Sequence, residues 1–117
     1  MNVASLPLSK ELYELSGWDD CWFQHLKVDN EWGLDFSGAE ALRKDSEIDE
    51  WHPAYDLGYL LRKLPNYKLE HNGNSANAVT CGYLADNKGR WIFGSANTPE
   101  DAACKLAIEL FKQGVLK

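Results

Sequence analysis

Three cysteines and three histidines are the side chains of this 117-residue chain best suited to nucleophilic or metal chemistry. Their spacing gives them little to work with. Cys21 and His25 stand four apart in a segment that reads as a strand. Both then share one face, but an extended backbone sets them too far apart to chelate readily. No Cys-x-x-Cys or His-Glu-x-x-His pair occurs, so a metal centre would need Cys81 or Cys104 to converge on them. Buried thiols acting as small hydrophobes are the plainer account. Cys104 falls in the middle of an apolar helical stretch, with no local base or helix N-terminus to activate it. The acids lie in loops, where burial would not raise a carboxyl pKa for acid–base work. Gly73, Gly82, Gly89 and Gly94 lack phosphate-loop spacing. The sequence therefore reads as a non-enzyme with no catalytic, cofactor-binding or metal-binding residue.

The elements that would position any site are better marked. A first helix runs over Leu6–Ser16, with Ser5 as N-cap, Pro7 in the first turn and Gly17 as the left-handed stop. Leu8, Leu12 and Leu15 make its buried stripe. Cys21–Val28 reads as a strand, Asp29-Asn30 as a turn, and Trp32–Phe36 as the returning strand of a hairpin. Residues 37–50 read as a loop, with a helical turn at Ala39–Arg43. Pro53 and Pro65 fence a short amphipathic helix carrying Leu57, Leu60, Leu61 and Leu64 on one face.

The period then switches. Tyr67–His71 alternates as a strand, and 72–77 is a polar connection. Ala78–Ala85 is a strand carrying Val79, Cys81 and Tyr83 on one face. Asp86–Gly89 turns the chain, and Arg90–Ser95 returns with Trp91 and Phe93 on one side. Thr98, Pro99, Glu100 and Asp101 open the last helix, whose stripe is Ala103, Leu106, Ala107, Leu110 and Phe111; Gly114 ends it. The expected architecture is one α+β domain of order α-β-β-α-β-β-β-α. An antiparallel sheet of four to five strands would carry two or three helices mainly on one face.

Composition narrows the classes further. Hydrophobic residues make up 44% of the chain, enough for a core and too many for a disordered polymer. No apolar run is long enough to span a bilayer, and Met-Asn-Val-Ala-Ser is not a signal peptide, so a cytoplasmic, reduced-thiol protein is expected. The net charge is −6, which repels phosphate backbones unless the bases gather on one face.

Five tryptophans are many for this length, and most can serve as core. Trp18 and Trp51 each lie beside acids at a helix edge. With Asp49 and Glu50, they are candidate anchors for a protein partner. The alternative is a nucleic-acid face gathering Arg43, Lys44, Arg62, Lys63, Lys88 and Arg90, with Trp91 and Tyr83 stacking bases. An unpaired edge strand would also allow a homodimer.

Three blocks carry a resemblance: Leu8–Trp18, Pro53–Pro65, and Thr98–Ala103 with Glu109–Gly114. Together they look like small uncharacterised proteins of tailed phages, prophages and environmental viral sequence. That resemblance implies a viral or marine-metagenomic origin and transfers no functional residue. The α-β-β-β-α order over Ala54–Leu116 is similar to double-stranded-RNA-binding domains and to HicB-like antitoxin domains. The RNA binders place lysines at the start of the last helix, where this chain has Pro99-Glu-Asp101. The antitoxin-like likeness instead implies a protein partner met through the sheet or its edge.

Overall fold

The computed structural model describes residues 2–35, 48–71, 78–85 and 89–117. The fold is α+β, as expected, with antiparallel pairing throughout its sheets. In chain order the elements are α1 (Leu6–Ser16), β1 (Phe23–Val28), β2 (Glu31–Asp35), β3 (Glu50–Ala54) and α2 (Leu57–Lys63). There follow β4 (Tyr67–His71), β5 (Val79–Leu84), β6 (Trp91–Ala96) and α3 (Pro99–Lys112).

Among the described residues the expected single sheet is instead two three-stranded sheets, ordered β2-β1-β3 and β4-β5-β6. The difference comes from the stretch before α2. Glu50-Trp-His-Pro-Ala54, expected as a loop tail and the approach to a helix, pairs with β1 as an edge strand. Pro53 fits there because an edge strand has one side on which a missing N–H costs no ladder bond. The helix starts later, with Asp56 as its N-cap residue. The expected helical turn at Ala39–Arg43, the connection over 72–77 and most of the turn at Asp86–Gly89 lie outside the described residues.

The β1–β2 hairpin turns through Asp29 and Asn30 at φ 52° and 64°. Two consecutive left-handed residues make the tight turn whose twist matches the flanking strands, and Asp and Asn tolerate that region best after glycine. Gly17 ends α1 at φ 68°, its N–H donating to the Tyr13 carbonyl. Ser5 occupies the N-cap position but makes no side-chain cap bond; its N–H donates to Asp101 Oδ1 at 2.7 Å. That bond fastens the start of α1 to the start of α3. Thr98 caps α3 by accepting from the Asp101 N–H at 3.2 Å.

One apolar cluster joins both halves of the chain. Ala4, Leu12, Cys21 and Tyr55 from the first half bury against Leu60, Cys81, Ile92, Ala103, Cys104, Leu106 and Leu110 from the second. α3 supplies the largest share, lying on the face of the second sheet that carries Cys81, Ile92, Gly94 and Ala96. Packing of this kind, more than helix propensity, is what holds a helix of three or four turns in water.

Candidate functional site

α3 covers one face of the second sheet. The strand pairings fix what the opposite face presents, since side chains alternate along each strand. Lys68 and Glu70 come from β4, Thr80, Gly82 and Leu84 from β5, and Trp91, Phe93 and Ser95 from β6. Phe93 is 57% exposed, high for a side chain of that size. Its ring stacks on Trp91 with centroids 6.1 Å apart and planes inclined by 17°. Gly82 makes that geometry possible. A Cβ at Gly82 would lie 2.9 Å from Phe93 Cε1 and 3.2 Å from Trp91 Cε3, so both rings settle onto the bare backbone of β5.

The polar groups of this face pair among themselves. Lys68 Nζ lies 2.6 Å from Glu70 Oε1, and the Thr80 and Ser95 hydroxyls meet at 3.2 Å across β5 and β6. Lys68, Glu70, Thr80, Trp91 and Phe93 surround a shallow hollow of about 150 Å³. An exposed Phe93 on a half-buried Trp91, beside polar groups that pair with each other, forms a surface suited to an apolar or amphipathic contact.

The sequence pointed elsewhere for its anchors. Trp18 is half-buried, edge-on to Phe111 at 5.2 Å and to Tyr59 at 6.3 Å, with Lys63 Nζ 5.3 Å above its ring. Trp51 is half-buried against Tyr13 at 6.5 Å. Glu50 Oε1 sits 2.7 Å from His52 Nε2 and 3.3 Å from Lys10 Nζ, and these partners hold its carboxyl below the usual range. Asp49 is exposed beside it, its N–H bonded to the Lys27 carbonyl. Trp51, Glu50 and Asp49 therefore lie together at β3, while Trp18 lies among α2 and α3 residues.

The described members of the cationic set come from α2 and from the residue just before β6. Lys63 stands over Trp18 and Tyr59 and 3.9 Å from Asp20, Arg62 is exposed beside it, and Arg90 reaches Gln113 at 3.4 Å. Arg43, Lys44 and Lys88 lie outside the described residues. Tyr83 and Trp91 do not share a face: Tyr83 pairs with Ile92 on the helix-covered side, while Trp91 pairs with Leu84 on the open side. The companion of Trp91 is Phe93. The i, i+2 spacing along β6 was the sequence signal for this pair; pairing across the turn was the misleading one.

The three thiols and His25 are shielded. Burial pushes the Cys21 and Cys81 thiols up to about 11, and pushes Cys104 up as well. Burial lowers the His25 pKa, and its Nε2 donates to the Ala4 carbonyl at 3.1 Å. His25 and His52 oppose each other across β1 and β3, while His71 ends β4 in the other sheet. Burial raises both tyrosines of the α2 region: Tyr55 donates to the Trp18 carbonyl at 2.7 Å, and Tyr59 donates a short bond to Asp20. Among the described residues, no three His, Cys, Asp or Glu side chains are grouped to hold a metal ion.

No described helix is long and apolar enough to cross a membrane. Compared with known proteins, the chain matches no family model, no curated protein sequence and no solved structure.

Proposed function

We propose that this chain is a non-catalytic accessory protein, of the type carried by tailed phages, that binds another protein through the open face of its second sheet. One observation carries the reading: Phe93 is 57% exposed and stacked on Trp91 on a sheet face that α3 leaves uncovered. An aromatic pair held in place by a glycine loses little conformational freedom on binding, which favours its use as an interface anchor. Trp18 and Trp51 have internal packing to maintain, so the anchor role passes to Phe93 and Trp91. The thiols, buried and protonated, support binding over catalysis.

The test is capture from a bacterial host lysate with and without nuclease, comparing the tagged wild-type chain with Phe93→Glu. A protein retained by the wild type and lost from the variant is the expected result. Equal retention by both places the contact elsewhere. Retention that vanishes on nuclease treatment replaces a protein partner with nucleic acid.

A further inference from the structure

We infer that the outer face of the second sheet also binds a second copy of this chain, face to face across a two-fold axis. This rests on the reading of that face as a protein-contact surface, and it names the occupant. A two-fold interface brings the same patch from both copies together, so the patch must complement itself in shape and in charge. Two features of the face bear on these conditions.

Shape comes from Gly82. Because Phe93 and Trp91 lie down on the glycine backbone, the aromatic pair forms a shelf and does not project as a knob. A projecting knob calls for a matching hole in a different partner, whereas a shelf packs against its own copy. Sheets stack face to face about 10 Å apart with side chains between them, the spacing that one aromatic layer from each copy would fill.

Charge comes from Lys68 and Glu70. They are the charged residues among the eight described strand positions on this face, and they are of opposite sign. The chain as a whole carries −6, so two copies repel over most of their surfaces. This patch is neutral. Rotation about a two-fold axis can place each Lys68 beside the other copy's Glu70, exchanging an ion pair within one copy for pairs between copies. Charge therefore favours a second copy over nucleic acid here. A phosphate would approach Glu70, and Lys68 is already 2.6 Å from that carboxylate.

Sedimentation velocity of the full chain, from low micromolar to the highest soluble concentration, reads the association directly. The wild type should shift from monomer toward dimer mass. Phe93→Glu should remain monomeric; Phe93 is exposed, and circular dichroism checks its fold. Lys68→Glu should weaken the dimer about tenfold, and adding Glu70→Lys to that variant should restore it, because the swapped pair is again self-complementary. A wild type that stays monomeric throughout, a Phe93→Glu dimer, or a double variant no tighter than Lys68→Glu alone overturns the inference. If the wild type is monomeric while Phe93→Glu still strips a protein from lysate capture, the face is a contact surface for another protein and self-pairing is wrong. If neither responds to Phe93→Glu, both readings fall.

Discussion

Gly94 of β6 lies directly under Leu106 of α3, so close that a Cβ on Gly94 would fall 2.5 Å from the Leu106 backbone nitrogen. Helix backbone, not a side chain that could turn away, occupies the space. The contact lets Leu106, Ala102 and Ala103 sink fully into the core. Gly94→Ala would push α3 off the sheet. Overpacking of this kind costs on the order of 1–3 kcal/mol, and a shift of the urea midpoint to lower concentration is the expected readout.

Gly82 offers the opposite case. Its neighbours are the rings of Phe93 and Trp91 on the solvent side, so Gly82→Ala should be relieved by ring movement and cost clearly less stability than Gly94→Ala. Two unfolding curves run side by side decide this. An equal loss would mean that the aromatic shelf is as rigidly supported as the core.

Thr98 caps α3 through the Asp101 N–H, and α3 supplies eight buried residues. Thr98→Ala should cost about 1 kcal/mol, typical for a lost N-cap. Thr98→Ser, which keeps the hydroxyl, should recover most of it. Asp101 also accepts from the Ser5 N–H, so Asp101→Asn should loosen the start of α1. Faster hydrogen exchange of the Ser5 amide would report it.

Much of this architecture was legible because local signals agreed with the fold. The Thr98-Pro99 start, the Gly17 stop, the Asp29-Asn30 turn and the meander alternation each have one cheap local solution, and the chain adopts it. β3 was not legible. Trp51-His-Pro-Ala54 is too short to show a period, its proline argues against a strand, and its pairing is with residues more than twenty positions away. Missing β3 meant missing the division into two sheets. The candidate site was half legible: alternation put Trp91 and Phe93 on one side, but exposure depends on which face α3 covers. Gly94 lets α3 approach the covered face closely, and a missing side chain is uninformative in the sequence alone.

His25 gives the chain a pH dependence of definite sign. Burial lowers its pKa, with a smaller opposing effect from the Ala4 carbonyl and a further lowering from His52. The folded state therefore keeps His25 neutral where the unfolded state, titrating near 6.5, takes up a proton. Stability is complete above 6.5 and falls as pH drops from there toward the folded value. Asp20 and Glu50, whose pKa values are lowered from ordinary carboxylate values, lose their contributions only at more acidic pH. Urea midpoints just above 6.5 and between these ranges should differ for the wild type. In His25→Gln, which retains a donor for the Ala4 carbonyl, that difference should shrink.

The cysteines provide a test of whether the core is as closed as it looks. Cys21 and Cys81 titrate near 11, and Cys104 Sγ is buried with its proton directed to the Leu8 carbonyl at 3.5 Å. At pH 8 a thiol titrating near 11 is about one part in a thousand thiolate, and the thiolate is the species that attacks a disulfide reagent. Burial then screens even that fraction, so native protein should release almost no chromophore from an aromatic disulfide reagent at pH 8. Three equivalents should appear on addition of denaturant. The rate in native buffer then follows opening of the core, so Gly94→Ala, which lifts α3, should accelerate it more than Gly82→Ala. Rapid reaction of one thiol in the native wild type would identify an accessible cysteine and reopen the possibility of thiol chemistry.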